Sequence, residues 1–267
     1  MKNTSKKAIY AAFGIEYKAG KINAPVFGWI APLLIDGNAK LGKGVWTFSM
    51  LPGSIEYTVE LFNKLYTVKG TCPCTCKGCY AMTGFYRFDS TIKALAIRTI
   101  LARDYMDFVR RAISAQIVAE NIKLLRIHAA GDFFSREYVD MWHDIAKNAP
   151  NACFWTYTKE RAFESAFDDL NNANIVKSII PGKGFNFGTC AYILKVYAAL
   201  KEAGNSVYIC RCGMDKNQHC VNCKGCASHD FVLFIEHSTA YKAENDPLFP
   251  ELCAIIDGQA SQAVAAA

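Results

Sequence analysis

Four cysteines lie within eight residues of this chain, in the segment Cys72-Pro73-Cys74-Thr75-Cys76-Lys77-Gly78-Cys79, which we call the first cysteine group. Within it, Cys72, Cys76 and Cys79 have the spacing CxxxCxxC. Three thiolates on one loop can bind three irons of a cubane cluster and leave the fourth iron open to another ligand. Because chemistry can take place at an open iron, this spacing indicates a reactive iron–sulfur centre.

Two other kinds of metal centre also fit the first cysteine group. Cys74 lies inside the loop and could act as a fourth ligand, which would close the cluster and give a structural or electron-transfer centre. Close cysteines also suit a tetrahedral zinc ion. The residues alone therefore predict a metal centre and leave open whether it is catalytic iron–sulfur, closed iron–sulfur or zinc.

A second cysteine group lies farther along the chain and contains Cys210, Cys212, Cys220, Cys223 and Cys226. Its last three members have the CxxCxxC spacing of a ferredoxin cluster run, and one of the first two could supply a fourth thiolate. Zinc is the alternative, with a nearby histidine as a further ligand, either His219 or His229. We therefore predict a second iron–sulfur cluster or a zinc ion here.

Composition favours a globular protein in a reducing compartment. Nine of the twelve cysteines fall in the two groups, and such close spacing suits metal ligation in the cytoplasm better than disulfides between distant segments. The 267 residues contain no long apolar run and no secretory signal, so we expect a cytoplasmic protein without a membrane segment. The net charge of +6 permits an anionic substrate such as a nucleotide or nucleic acid.

Helical and strand-like apolar patterns alternate after residue 90, and these elements must position the cysteine groups. Apolar residues spaced at three and four predict helices, and short apolar runs bounded by turn residues predict buried strands. Strands are predicted at 124–130, 153–157, 176–180, 206–209 and 231–235, and one more just before the first cysteine group. Helices are predicted at 92–113, at 138–145 with Ser135 as N-cap, at 163–170, and at 190–203 with Gly204 just beyond its end.

This alternation predicts an α/β fold, namely a partial (β/α)6 TIM-like barrel with a cysteine-rich C-terminal insertion. The expected parts are an N-terminal extension at 1–40, the barrel core with the first cysteine group at 41–205, and a C-terminal part at 206–267 with the last strands, the second cysteine group and a helix. In such barrels chemistry occurs at the carboxyl ends of the strands. Polar residues that end or follow predicted strands, such as Asp132 and Tyr157, are therefore expected near the site.

A CxxxCxxC loop that follows a strand and precedes a long helix resembles the cluster loop of radical S-adenosylmethionine enzymes. The resemblance implies a [4Fe-4S] cluster on Cys72, Cys76 and Cys79, with S-adenosylmethionine chelating the unique iron. It also implies a 5′-deoxyadenosyl radical that abstracts hydrogen from a substrate, and an electron donor such as flavodoxin or ferredoxin. The family usually has an aromatic residue before the third cysteine; Gly78 stands there, and Tyr80 could cover the adenine instead.

The segment Ala130-Gly131-Asp132 resembles the Gly-Gly-Glu-like motif that many of these enzymes carry at the end of their second strand. The resemblance implies that its backbone and its carboxylate bind the ammonium group of the cofactor, a pairing suited to a carboxylate at a strand end. A turn or cap is the ordinary alternative role for Asp132. Three further residues are candidates for catalysis, with core packing as the alternative for each, and these are His128, Tyr157 and Cys190.

Several segments occur in an order that resembles the bacteriophage family called gene product 88. The most distinctive is Ile127-His128-Ala129-Ala130-Gly131-Asp132-Phe133-Phe134-Ser135. The others are residues 42–49, the end of the first cysteine group with Tyr80 and Ala81, Tyr138 and Trp142, and residues 154–158. This resemblance implies a phage or prophage origin, and hence the host cytoplasm, and it brings no known activity.

Together these features predict a phage-encoded iron–sulfur protein, namely a radical S-adenosylmethionine enzyme. Its substrate is unknown, and a phage setting makes nucleotide or nucleic-acid modification a natural hypothesis. The alternative is a non-enzymatic protein with zinc or a structural iron–sulfur cluster, which binds nucleic acid or a host partner.

Overall fold

The computed structural model describes residues 5–37, 41–53, 55–61, 63–73, 79–179, 186–211, 219–223, 225–236 and 242–265. The helices are α1 (Lys6–Ala12), α2 (Asp89–Asp104), α3 (Met106–Ala119), α4 (Arg136–Lys147), α5 (Cys190–Glu202), α6 (Gly225–Ser228) and α7 (Phe249–Ala265). The strands are β1 (Tyr17–Lys18), β2 (Lys21–Ala24), β3 (Gly28–Ile30), β4 (Ile35–Asp36), β5 (Val45–Thr47), β6 (Glu56–Leu61), β7 (Lys64–Lys69), β8 (Leu124–Arg126), β9 (Cys153–Thr158), β10 (Ala173–Lys177), β11 (Phe187–Gly188), β12 (Val207–Cys210) and β13 (Phe231–Ile235). Of the helices in the described ranges, none combines the length and the apolar character needed to cross a bilayer.

The main sheet has the strand order β10-β9-β8-β5-β4. Strands β5, β8, β9 and β10 run parallel, and β4 pairs antiparallel with β5 at one edge. Parallel strands are covered on both faces, so their sequences read as continuous apolar runs rather than alternating ones. Strand β9 fits this rule, because its consecutive residues Phe154, Trp155 and Thr156 are all buried.

A second parallel sheet has the order β11-β13-β12. The Lys177 amide at the end of β10 donates to the Asp230 carbonyl just before β13, at 2.8 Å, so β13 begins beside the main sheet. Strand β12 pairs with the other side of β13, although it precedes β13 in the chain. Within the described residues both sheets are open. The partial (β/α)6 barrel and the domain divisions at 40 and 205 therefore stay predictions.

Successive residues of β9 point to opposite faces of the main sheet, as in any strand. Phe154 packs on the helical face, in a core that includes Trp142 of α4 and Ile113 of α3. Trp155 packs on the other face, which we call the inner face, against Val45 of β5. Functional groups on β9 are therefore divided between two environments.

The second sheet has the same division into a helical face and an inner face. Ile209 and Leu233 lie in a core with residues of α5 and α7. Cys210 and Val232, their neighbours along β12 and β13, belong to a separate apolar cluster that also includes Tyr157 of the main sheet. The inner faces of both sheets thus form one continuous surface at Tyr157.

Most predicted strands and helices are present. Strand β13 has the predicted bounds, and β8, β9, β10 and β12 overlap the predicted strands. Ser135 caps α4 as predicted, because its Oγ accepts a hydrogen bond from the Tyr138 amide at 3.2 Å. Gly204 follows α5 with a φ of +79°, which confirms the predicted glycine beyond this helix end.

Two helix predictions are wrong. The pattern at 92–113 predicts one helix, but Tyr105 is not helical and separates α2 from α3. Both helices bury apolar faces, so the hydrophobic period continues across the break and does not reveal it. The segment 163–170 forms a 3-10 turn at Arg161–Phe163 followed by further turns, although Phe163 and Phe167 still pack against the main core.

The strand predicted just before the first cysteine group is present as β7, but it lies outside the main sheet. It pairs with β6 in a separate antiparallel hairpin. The chain enters this region from β5, and it continues beside the residues after β8, since the Met50 amide donates to the Ala130 carbonyl at 2.9 Å. The hairpin is thus an insertion between the main sheet and the first cysteine group.

Candidate metal and cofactor site

The first cysteine group begins beside the Gly-Asp segment. The Asp132 backbone N–H donates to Thr71 Oγ1 at 3.0 Å, and the Thr71 amide donates to the Leu51 carbonyl at 2.9 Å. Thr71 directly precedes Cys72 in the chain. The two motifs singled out in the sequence are therefore in contact, as a shared site requires.

Gly131 makes this close approach possible. Its φ of +88° lies in the left-handed region, and a Cβ atom there would lie 2.8 Å from Thr71 Oγ1 and 3.1 Å from Met50 Cβ. Any larger residue would combine an unfavourable backbone conformation with an overlap. The contact between Asp132 and Thr71 thus depends on glycine at this position.

The Asp132 carboxylate joins the segment that follows β8 to the end of β9. Its Oδ1 accepts from Thr158 Oγ1 at 2.8 Å and from the Phe133 amide at 2.8 Å, and its Oδ2 accepts from the Lys159 amide at 2.9 Å. The residue is 4% exposed. Burial raises the pKa of the Asp132 carboxyl to about 6, although these hydrogen bonds act in the opposite direction.

The residues at this position fit the chemistry of the implied cofactor. A carboxylate oxygen can accept two hydrogen bonds, and Oδ2 accepts one from the described residues, so it can still accept one from an ammonium group. Ala130 is buried, and its carbonyl accepts a hydrogen bond from the Met50 amide at 2.9 Å. Tyr80 begins a 3-10 turn at Tyr80–Met82, and its side chain is outside the described part of the structure.

The ligand set of the first cysteine group stays a prediction. Cys72 and Cys79 are half-buried thiols, whereas Cys74 and Cys76 lie outside the described residues. The nine cysteines that the structure describes are all free thiols.

His128 lies in the core on the helical face of the main sheet. Its Nε2 is 2.9 Å from Tyr138 Oη, and its ring meets Phe133 and Trp142 edge to face. Burial, assisted by the charge of Arg126, lowers the pKa of His128 to about 3, so the ring is neutral at physiological pH. The structure places this residue as a packing and hydrogen-bonding group.

Cys190 also lies away from both cysteine groups. It is fully buried at the start of α5, in the core that α5 and α7 form on the helical face of the second sheet. Cys210 belongs to the cluster on the opposite, inner face of that sheet. Cys190 is therefore brought together with core residues rather than with the predicted site.

The second cysteine group gathers around Tyr157 on the inner face. The Tyr157 hydroxyl lies 2.8 Å from Cys226 Sγ, and Cys220 packs in the same cluster. The Arg126 guanidinium lies 5.1 Å from the centre of the Tyr157 ring. Burial raises the pKa of Tyr157 well above its usual range, so its hydroxyl stays protonated and can donate to a sulfur.

The Cys226 thiol is buried among other cysteines. Burial raises its pKa to about 12; the nearby Cys220 and Cys223 thiols act in the same direction, and the Tyr157 hydroxyl opposes them. Cys212 lies outside the described residues. Within the ranges that the structure describes, no three Cys, His, Asp or Glu side chains come together as a metal-ligand set, so metal binding here also stays a prediction.

Two residues of this site were not singled out in the sequence. Thr71 accepts a hydrogen bond from the Asp132 amide, and Tyr208 lies with its hydroxyl 3.4 Å from Cys223 Sγ. Each stands next to a residue that the sequence did single out, or on the strand that ends in it. Their position beside a predicted site residue was the sequence signal that could have found them. Residue spacing does not reveal which residues far apart in the chain form hydrogen bonds.

Comparison with known proteins identifies relatives among bacteriophages. A family model described as Gene product 88 matches residues 32–229. The Gene 88 protein of Mycobacterium phage D29 is 28% identical over 141 residues, which cover 48% of this chain and 56% of the relative. The Gene 88 protein of Mycobacterium phage L5 is 49% identical over 37 residues, which cover 14% of this chain and 16% of the relative.

The chain therefore spans less than two thirds of the length of either relative. No solved structure matches. The relatives support the predicted phage origin, and neither their names nor the family description states an activity. Because the family model covers most of the chain, the chain belongs to the gene product 88 family.

Proposed function

We propose that this protein is a radical S-adenosylmethionine enzyme with its cluster on Cys72, Cys76 and Cys79. The observation that carries the proposal is the hydrogen bond from the Asp132 amide to Thr71 Oγ1, at 3.0 Å. It links Asp132, a residue with a buried carboxylate in the segment after β8, to Thr71, which directly precedes the first predicted ligand. A cluster and the ammonium group of its cofactor need this kind of neighbourhood.

The residues have separate roles in this proposal. Gly131 lets the strand end approach the cysteine group, Thr158 fixes the Asp132 carboxylate, and Asp132 pairs with the ammonium group. When bound, the reduced cluster and S-adenosylmethionine supply a radical that can abstract hydrogen from a substrate. The electron comes from a donor such as flavodoxin or ferredoxin.

The substrate is proposed only as a class. The net charge of +6 and the phage relatives favour an anionic nucleotide or nucleic acid. The abundance of thiols favours a reducing host cytoplasm as the place of action.

A second candidate function is a non-enzymatic metal protein. Two observations favour it: the Asp132 carboxylate already accepts three hydrogen bonds, and Cys226 of helix α6 packs on the inner face. In this reading Asp132 is structural, and Cys74 or zinc closes the first cysteine group. Such a protein would bind nucleic acid or a host partner.

Anaerobic reconstitution with iron and sulfide separates the two functions. The first proposal expects the full chain to gain a cluster whose electron-spin signal changes when S-adenosylmethionine is added. A Cys79→Ala variant should lose that change, whereas Cys253→Ala, a thiol on α7, should keep it. A cluster that is retained but indifferent to the cofactor would favour the second function, and a chain that holds only zinc would rule out the first.

A further inference from the structure

We propose that the second cysteine group binds a metal centre that fastens the connection between β12 and β13 onto the inner face of the sheets. The proposed ligands are Cys210, Cys220, Cys223 and Cys226. The inference is independent of the proposed function, since it uses neither the first cysteine group nor Asp132. It concerns a closed centre of thiolates, either one zinc ion or one iron–sulfur cluster.

One of these cysteines contacts Tyr157, and two more lie in apolar clusters that include Tyr157. Cys226 Sγ lies 2.8 Å from its hydroxyl, and Cys226 packs in both apolar clusters that contain Tyr157. Cys220 belongs to one of these clusters, and Cys210, which is 5% exposed, belongs to the other. Cys226 therefore stands between Cys210 at the end of β12 and Cys220 in the connection.

The fourth cysteine meets the same group at Tyr208. Cys223 Sγ lies 3.4 Å from the Tyr208 hydroxyl, and Tyr208 packs in the cluster of Cys210. The four cysteines thus border the same two tyrosines, although no three of their side chains are gathered as a ligand set within the described ranges, so ligation requires their side chains to turn toward one another.

The backbone of the connection is held against the sheets at several points. The Asn174 side chain on β10 donates to the Cys226 carbonyl at 2.8 Å and to the His229 carbonyl at 2.9 Å. The Gly225 backbone packs closely against the Tyr208 ring, and a Cβ atom at this position would overlap the ring. The segment that carries the ligands is therefore positioned before any metal binds, so ligation needs side-chain rotation rather than refolding.

The surroundings suit thiolate ligands. Hydroxyl groups that donate to ligand sulfurs orient them and stabilise their charge, and Tyr157 and Tyr208 are placed to do this. Four thiolates around a divalent ion leave a net negative charge, and Arg126 lies beside Tyr157 to offset it. The described part of the connection contains a short 3-10 turn and the four-residue helix α6, and metal ligation would add stability to it.

The experiment starts from a full chain without the first site, the variant Cys72→Ala/Cys76→Ala/Cys79→Ala. Prepared anaerobically, it should retain about one zinc or about four irons per chain with sulfur ligation in X-ray absorption. Adding Cys223→Ala and Cys226→Ala should lower the metal content at least tenfold, by loss of two ligands. Adding Cys253→Ala instead should leave the metal content unchanged.

Tyr157→Phe provides a test that does not remove a ligand. It should keep the metal but weaken its affinity about tenfold in a chelator competition, because the hydroxyl–sulfur bond is lost. Removing the metal from the parent variant should lower its thermal midpoint. The proposal is overturned if the folded parent variant holds no metal, or if its metal survives the loss of both Cys223 and Cys226.

Discussion

Tyr157 and Thr158 are neighbours on β9, and their side chains serve opposite faces of the main sheet. The Tyr157 hydroxyl lies 2.8 Å from Cys226 Sγ, whereas Thr158 Oγ1 donates to Asp132 Oδ1 at 2.8 Å. The end of β9 therefore contacts both the second cysteine group and the Asp132 carboxylate, which lies beside the first cysteine group. A change in β9 at this point should affect both sites.

The bond between Asp132 and Thr71 should contribute measurably to stability. Thr71→Val removes the buried acceptor of the Asp132 amide and should lower the free energy of unfolding by about 1–3 kcal/mol. Thr67→Val is the matched control, since its hydroxyl bonds Thr58 on the exposed hairpin, and it should cost less than about 0.5 kcal/mol. Chemical denaturation measures both, and equal losses would argue against a structural link between the two motifs.

Gly131 should tolerate substitution less well than another glycine of similar conformation. Gly131→Ala and Gly204→Ala both place a side chain at positive φ, but Gly204 has no atom within 4 Å of the added Cβ. The overlap with Thr71 and Met50 should make the Gly131 variant less stable than the Gly204 variant by about 1–3 kcal/mol. Similar thermal midpoints for the two variants would show that the close approach is not needed.

Asp132 should make stability depend on pH in an unusual direction. Its pKa is raised to about 6 by burial, so the folded protein binds this proton more tightly than the unfolded chain does. Its contribution is therefore fully present below about pH 4 and is lost as the pH rises through about 6. The loss is about 3 kcal/mol if the pKa difference is about two units.

Asp132→Asn isolates this contribution. The difference in unfolding free energy between the natural protein and the variant should fall between pH 4 and pH 7, because only the natural protein has this group to deprotonate. Denaturation at a series of pH values checks it, with Asp169→Asn, an exposed partner of His143, as the control. A difference that does not change with pH would mean that folding does not raise the pKa of Asp132.

The sequence predicted the local elements better than their connections. The run 231–235 predicts β13 correctly because a short, continuously apolar segment bounded by polar residues is typical of a buried parallel strand. The placement of β13 between β11 and β12, with its start beside β10, could not be predicted, since it depends on contacts between distant residues such as the bond from Lys177 to Asp230. The pairing of β7 with β6 in a separate hairpin could not be predicted either, because an apolar run does not show which strand it pairs with.

The candidate site was predicted in its parts rather than in its assembly. Cys72 and Asp132 stand out by spacing and by position at a strand end, but their neighbourhood is created by a bond between residues 61 positions apart. Tyr157 was expected near a cavity, and the structure gives it a sulfur partner instead. His128 was a candidate for catalysis, yet burial and an aromatic surround make it a core residue.

Cleavage of S-adenosylmethionine tests the proposed function most directly. The reconstituted full chain, reduced anaerobically in the presence of S-adenosylmethionine, should release 5′-deoxyadenosine and methionine, measured by chromatography with mass detection. Cys79→Ala should release none, and Cys253→Ala should match the natural protein. Release of 5′-deoxyadenosine by the natural protein and by Cys253→Ala, but not by Cys79→Ala, would support an enzyme. No release from a natural chain that carries a full cluster would contradict it.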